Sequence, residues 1–279
     1  MRAAGVIGWP VAHSKSPLIH RFWLAKLGID GDYGRFAVHP DQLSEAIRAL
    51  PALGLRGVNV TVPHKVAVMA HLDRVDPLAA RVGAVNTVVA ADGCLAGWNT
   101  DVEGVSTALR HVALASASIV LIGAGGAARA AIAALEDSRH HELLVVARDP
   151  SRAVDLIRAF DVSGVGVPLS GLASVIATAD VVINASPLGM AGQASFAPDV
   201  IAALGARSAA TVFDMVYAPL ETPLLAAARA RGLRTVDGLA MLIGQAAAAF
   251  ELFFGAAAPR AYDDELRTVL VRPNVGNPL

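Results

Sequence analysis

One residue of the 279 is cysteine, Cys94. A lone thiol excludes an internal disulfide framework and a multi-cysteine metal centre, and it fits a reducing cytosol; no metal is expected. Charge of one sign is also missing. Lys plus Arg number 23 against 24 Asp plus Glu, a formal net charge of −1, so there is no basic excess to hold nucleic acid or an anionic membrane surface. Long apolar runs are absent as well, although the mean hydropathy is +0.52. Two of the longest uncharged stretches are Val112–Ala128, with three glycines and two serines, and Val181–Pro198, with two prolines, an asparagine and a glutamine. Neither is the run of about 20 mostly apolar residues that spans a bilayer. The opening MRAAGVIGWPVAHSKS has no apolar segment of signal-peptide length. A soluble, cytoplasmic protein is the expectation.

What is present is an apolar fraction of 54%, enough for a sizeable core, and a length that suggests roughly two domains. Short Val/Ile runs alternate with Ala/Leu-rich stretches. Strands are expected at Gly5–Gly8, Gly57–Val62, Thr87–Ala91, Ser118–Ile122, Leu143–Ala147, Val181–Ala185 and Thr211–Met215. Helices are expected at Pro17–Leu27, Pro40–Leu50, Asp101–His111, Ala127–Glu136, Ser151–Ala159, Pro223–Arg231 and Met241–Phe254. Strands separated by helical segments imply an α/β protein with parallel sheets covered on both faces. The tail Arg272–Leu279, with two prolines, two asparagines and a glycine, is expected to fray.

Ala117–Glu136 reads ASIVLIGAGGAARAAIAALE. A buried strand runs into Gly123-Ala124-Gly125-Gly126-Ala127-Ala128, and an Ala-rich helix follows. This is G-x-G-x-x-[G/A] in the strand–turn–helix setting of a dinucleotide site. Gly123 permits the turn, Gly125 admits the pyrophosphate and Ala128 lets helix pack on strand. An ordinary tight turn is the plainer alternative. After the next strand comes Arg148-Asp149-Pro150-Ser151-Arg152. Two guanidinium groups at i,i+4 suit the 2′-phosphate of NADP. Asp149 points the other way, towards the free ribose hydroxyls of NAD, and all three charges are also compatible with a solvated helix start. NADP is favoured, with NAD possible.

Three polar clusters precede this module. Ser14 and Ser16 flank a helix start, where hydroxyls and free N–H groups suit a carboxylate, or merely cap the helix. In Gly57-Val58-Asn59-Val60-Thr61-Val62-Pro63-His64-Lys65, alternation puts Asn59, Thr61 and Pro63 on one face of an extended segment, with Lys65 on the following turn. The third cluster, Gly83-Ala84-Val85-Asn86-Thr87, is echoed by Gly97-Trp98-Asn99-Thr100-Asp101.

Together these segments resemble the shikimate dehydrogenase family over nearly the whole chain, in Ser14–Pro17, Asn59–Lys65, Gly83–Val88, Asn99–Asp101, Gly123–Ala127, Asn184–Met190, Asp214–Tyr217 and Gly238–Gln245. The resemblance implies a mixed or parallel α/β substrate domain (1–101 plus 238–279), a Rossmann-like NADP-binding domain (102–237) and a cleft between them. It implies reversible, NADP-linked interconversion of 3-dehydroshikimate and shikimate in aromatic amino-acid biosynthesis. Lys65 and Asp101 would be the catalytic pair: an ammonium can protonate the ketone oxygen during reduction, and the carboxylate can orient it. Ser14, Ser16 and Tyr217 would take the substrate carboxylate, and Thr61, Asn86, Asp101 and Gln245 the ring hydroxyls. Gly123, Ala124, Gly125, Gly126, Ala127, Arg148 and Arg152 would hold NADP, with Met215 and Gly238 beside the nicotinamide. The only partner implied is this small-molecule substrate, with the chain a monomer or homodimer.

Departures from the family pattern are Lys15 between the serines, Arg21, Trp98, Ala147, Asp149 and the pair Phe253-Phe254. Other readings are a paralogue acting on quinate or an aminated shikimate with NAD or NADP, and a dinucleotide sensor without chemistry.

Overall fold

The computed structural model describes residues 2–205 and 210–272. The chain divides into two compact units at Thr100/Asp101 and at Gly244/Gln245, the C-terminal stretch joining the first unit. Most of the expected tail lies outside the described residues.

The first unit opens with β1 (Arg2–Gly8), α1 (Ser16–Leu27), β2 (Gly31–Ala37), α2 (Leu43–Ala49), β3 (Leu55–Val60), β4 (Arg74–Val75), α3 (Pro77–Val82), β5 (Thr87–Ala91) and β6 (Cys94–Trp98). Its six-stranded sheet has the order β2-β1-β3-β5-β6-β4. The β1/β2, β1/β3 and β4/β6 pairs are parallel, whereas β5 runs antiparallel to both neighbours. The sheet is therefore mixed. The β5–β6 hairpin turns on Asp92 (φ +51°) and Gly93 (φ +73°), with Ala91 opposite Cys94. Two successive positive φ values are what a two-residue hairpin loop requires, and Asp-Gly supplies them at little cost. Strand β2 forms despite three weak strand formers, Gly31, Asp32 and Gly34, because it pairs residue for residue with β1. Gly5 is obligatory in that pairing: a Cβ there would lie 2.3 Å from the Phe36 ring and 2.9 Å from the Gly34 carbonyl.

The second unit contains α4 (Asp101–Leu109), β7 (Ser118–Ile122), α5 (Gly126–Leu135), β8 (Glu142–Ala147), α6 (Pro150–Phe160), β9 (Val165–Pro168), α7 (Leu172–Ile176), β10 (Val181–Asn184), α8 (Pro198–Ala203), β11 (Thr211–Asp214), α9 (Pro223–Ala230) and β12 (Arg234–Val236). Its sheet, β12-β11-β10-β7-β8-β9, is parallel throughout. Counted from β7, this is the 3-2-1-4-5-6 order of a dinucleotide-binding sheet. The order reverses between β7 and β10, where ligands bind beyond the strand ends. Buried residues such as Val120, Ile122, Val146, Val182 and Val212 join Leu172, Val200 and Leu224 in one core. This explains why the strands read as continuous apolar runs.

Helices α10 (Gly238–Phe254) and α11 (Asp263–Val271) close the chain, and the unit boundary falls within α10. In the first unit, Phe250, Phe253 and Phe254 pack around His20 of α1, with Trp23 and Tyr33 completing the ring cluster. No helix of the described residues is long and apolar enough to cross a membrane.

Candidate active site

In the first unit the polar residues between apolar strands are buried and bonded to one another. Ser14 and Ser16 sit at the start of α1, whose N-cap residue is Lys15 and has no side-chain cap. Ser14 Oγ donates to Ser16 Oγ at 3.3 Å and accepts the Ser16 N–H at 3.3 Å. Arg35, on β2, clamps the Ser14 carbonyl from Nε (2.9 Å) and one terminal nitrogen (2.6 Å). The side chain of Lys15, one of the departures from the family pattern, donates to the Leu270 carbonyl and ties α11 down. Arg21 likewise makes a surface ion pair with Asp32 at 2.7 Å.

Strand β3 ends at Val60, and the chain turns at Val62-Pro63. The extended segment is thus shorter than the alternation suggests, and Pro63 does not share a strand face with Asn59. The Thr61 N–H still bonds Ile7 O at 3.0 Å, and its methyl fits because Gly8 has no Cβ to occupy the same space. His64 is buried, and its Nε2 donates to Val38 O at 2.8 Å. The Lys65 carbonyl accepts the Val85 N–H at 2.8 Å. The half-buried Lys65 therefore rides on a turn bonded to the residue before Asn86.

Asn86 is a hub. Its Oδ1 accepts from Thr100 N at 2.7 Å and from Thr87 Oγ1 at 3.0 Å, while Nδ2 donates to Thr100 Oγ1 at 3.0 Å. Asn99 Nδ2 donates to Ala84 O at 2.9 Å. The two echoed segments are thus stitched side by side. Gln245 of α10 also belongs to this unit and is buried.

In the second unit, β7 runs into Gly123, whose φ is +118° and whose missing Cβ would lie 2.9 Å from Ala185 O. The turn therefore rests against the end of β10, at the reversal of strand order. Gly125 and Gly126 differ: both are exposed, and a Cβ on either would meet nothing within 4 Å. The fold does not require glycine there, whereas a pyrophosphate laid on the backbone would. The first turn of α5 has Gly125 as N-cap and no side-chain cap, so N–H donors face the same open side. The turn fits a dinucleotide. Gly123→Ala is expected to lower the melting temperature, since backbone and φ both oppose the methyl. Gly125→Ala is expected to melt like wild type yet raise KM for NADP about tenfold. Calorimetry and initial rates check the pair.

Beyond β8, Arg148 and Arg152 are exposed. Asp149 is the N-cap of α6: its carboxylate accepts from Ser151 N at 3.0 Å and Ser151 Oγ at 2.7 Å. These bonds, with Arg152 nearby, hold its pKa below the usual carboxylate value. Asp149 thus has a capping task that needs no ligand.

Asp214, at the end of β11, is fully buried. It accepts from Thr222 Oγ1 (2.6 Å), Asn184 Nδ2 (2.8 Å) and Val216 N (3.0 Å). Burial pushes its carboxyl above the usual range and the three donors pull it back. The Met215 N–H bonds Asn184 O at 3.0 Å, and Gly238 lacks the Cβ that would strike Met215 O at 2.5 Å. Met215 and Gly238 are therefore adjacent. Tyr217 follows on the same loop, and burial raises its phenol pKa. Asp101 is buried at the start of α4.

Ser14, Ser16, Thr61, Lys65, Asn86 and Gln245 thus belong to the first unit, and Asp101, Tyr217 and the glycine-turn residues to the second. The sequence reading missed Arg35 and Tyr33, and it placed Thr87 in a polar cluster without giving it a role. Tyr33 and Arg35 lie on a strand too glycine-rich to be recognised. Among the described residues no group of three or more His, Cys, Asp or Glu could hold a metal.

Family models match residues 6–88 (shikimate dehydrogenase substrate binding domain), 106–189 (shikimate / quinate 5-dehydrogenase) and 238–263 (shikimate 5′-dehydrogenase C-terminal domain). The shikimate dehydrogenase (NADP(+)) of Sphingopyxis alaskensis is 48% identical over 272 residues, 96% of each chain. Among solved structures, the Thermus thermophilus shikimate 5-dehydrogenase in complex with NADP(H) and shikimate is 36% identical with a TM-score of 0.85, covering 96% of this chain and 99% of its own. The Corynebacterium glutamicum quinate dehydrogenase in complex with NAD is 35% identical with a TM-score of 0.85, at 96% and 99% coverage. On these near-full-length matches, this chain belongs to the shikimate dehydrogenase family.

Proposed function

We propose that the chain catalyses the reversible NADPH-dependent reduction of 3-dehydroshikimate to shikimate, a step in aromatic amino-acid biosynthesis. The observation that carries this reading is the near-full-length identity to an NADP-dependent shikimate dehydrogenase, in a chain that keeps both Lys65 and Asp101. The first unit is the substrate domain and the second the dinucleotide domain. Gly123–Ala127 would hold the pyrophosphate and Arg148 with Arg152 the 2′-phosphate. Bound there, the cofactor supplies the hydride, and the protein contributes position and electrostatics. Ser14, Ser16 and Tyr217 take the substrate carboxylate; Thr61, Asn86 and Gln245 take hydroxyls. Lys65 gives a proton to the carbonyl oxygen, and its neutral amine accepts one in the reverse direction. Asp101 bonds a ring hydroxyl and favours the charged lysine.

The quinate reading draws on the equally good structural match to an NAD-bound quinate dehydrogenase. The capping role of Asp149 favours NADP, because a carboxylate already bonded to Ser151 competes less for ribose hydroxyls. Rates with shikimate and quinate, each with NADP and NAD, separate the readings. The highest kcat/KM is expected for shikimate with NADP; equal or better use of quinate with NAD would overturn the assignment.

A further inference from the structure

Asn184 and Asp214 are register partners at the ends of β10 and β11, and both are wholly buried. Beyond them the chain leaves the sheet in two loops, on the edge where a doubly wound sheet takes its dinucleotide. Asn184 gathers the first loop: its Oδ1 accepts from Ser186 N at 3.1 Å and Ser186 Oγ at 2.7 Å, and its Nδ2 donates to Leu188 O at 3.0 Å. The backbone there also continues the ladder, with the Ala185 N–H bonded to Ile122 O at 2.9 Å. None of those bonds involves Asp214. The second loop is held differently. Its Met215 N–H bonds Asn184 O, but the Val216 N–H and the Thr222 hydroxyl both end on the Asp214 carboxylate. Oδ1 takes Val216 and the Asn184 amide, and Oδ2 takes Thr222, which also caps α9 by accepting the Leu225 N–H at 3.2 Å. One side chain thus closes Val216–Thr222 into a loop and ties it to its neighbour. Three donors on two oxygens suit a carboxylate, which only accepts. A buried acid is a costly way to close a loop that merely connects two elements.

We propose that Asp214 is a positioning residue for the nicotinamide, its carboxylate fixing the Met215–Thr222 loop so that the backbone of Met215 and Val216 forms a rigid wall beside the ring. This rests on the reading of Met215 and Gly238 as neighbours of the nicotinamide. Gly238 fits that wall closely: a Cβ there would lie 2.5 Å from Met215 O and 2.7 Å from Val216 O. The pyrophosphate turn rests elsewhere, since Gly123 lies against Ala185 of the first loop, whose anchors do not depend on Asp214. Loss of the carboxylate therefore loosens the grip on the nicotinamide and spares the rest of the dinucleotide.

Calorimetric titration of Asp214→Ala with NADP and with 2′-phospho-ADP-ribose, which is NADP without its nicotinamide, tests this. Kd for NADP is expected to rise about five- to tenfold, the range of one hydrogen bond, while Kd for the fragment stays within about twofold of wild type. The preference for whole cofactor over fragment shrinks accordingly. Leu172→Ala opens a cavity in the core of the same unit and touches neither loop's sequence; it should lower the melting temperature and keep the preference. Should Asp214→Ala not fold, Asp214→Asn, which keeps one acceptor oxygen and replaces the other with a donor, is expected to give the same pattern at about two- to threefold. An unchanged preference in the folded variant, an equal weakening of both ligands, or a wild-type protein that binds the two equally well overturns the role of Asp214. A wild-type protein that binds neither ligand overturns the dinucleotide reading of this unit and the proposal with it.

Discussion

Lys65→Ala is expected to lower kcat for shikimate oxidation by about 10²- to 10⁴-fold, the usual worth of a positioned general acid or base. Oxidation of the alcohol leaves a proton to be taken from oxygen as hydride departs from carbon. Without the amine, that proton has to go to water or to a poorer base. The turn that carries Lys65 is held independently of its side chain: His64 is anchored to Val38 O, and the Lys65 carbonyl is anchored to the Val85 N–H. Truncation should therefore leave the backbone, Asn86 and the serines in place. KM for shikimate is expected within a few-fold of wild type. Added methylamine should restore part of the rate. Turnover near the wild-type level would remove Lys65 from the chemistry, while loss of binding together with loss of rate would make it a substrate contact instead.

The dinucleotide unit was largely legible in the sequence because its signals are local. Ser118–Ile122 is a strand in both the reading and the structure, and the glycines that follow need only their neighbours to be understood. In the first unit the decisive information is non-local. Strand β2 contains Gly31, Asp32 and Gly34 and exists because β1 pairs with it. Its two informative side chains, Tyr33 and Arg35, were hidden with it. The β5–β6 hairpin did have a local signature, Asp92-Gly93, but a search for helix-separated parallel strands passed over it. Thr61 was placed on a strand that ends one residue earlier, because alternation in sequence says nothing about where the ladder stops. Asp149 was ambiguous as a bare charge and became a helix cap once Ser151 was seen to donate to it. His20 was not singled out at all, since a histidine on an apolar helix face has no sequence signature until its surroundings are known.

Those surroundings make His20 a source of acid sensitivity. The side chain is fully buried, and neither ring nitrogen has a hydrogen-bond partner among the described residues. Aromatic rings of Trp23, Tyr33, Phe250, Phe253 and Phe254 surround it. Burial without a counter-charge lowers its pKa from 6.5 to about 3. Between those values the unfolded chain binds a proton at this position and the native protein does not. Stability then falls as pH falls, by about 1.4 kcal/mol per unit across the window. The contribution is intact above pH 6.5, and by pH 4.5 about 3 kcal/mol has been lost, a large share of a typical folding free energy. His20→Phe removes the titrating group and keeps a ring in the cluster. Phenylalanine is somewhat bulkier, and any packing offset from wild type is common to both pH values and cancels. Urea unfolding at pH 7.5 and 4.5 should show the variant gaining about 3 kcal/mol relative to wild type on acidification. Parallel pH profiles for the two proteins would mean that the native state accepts the proton, and therefore that the ring cluster opens to water without unfolding.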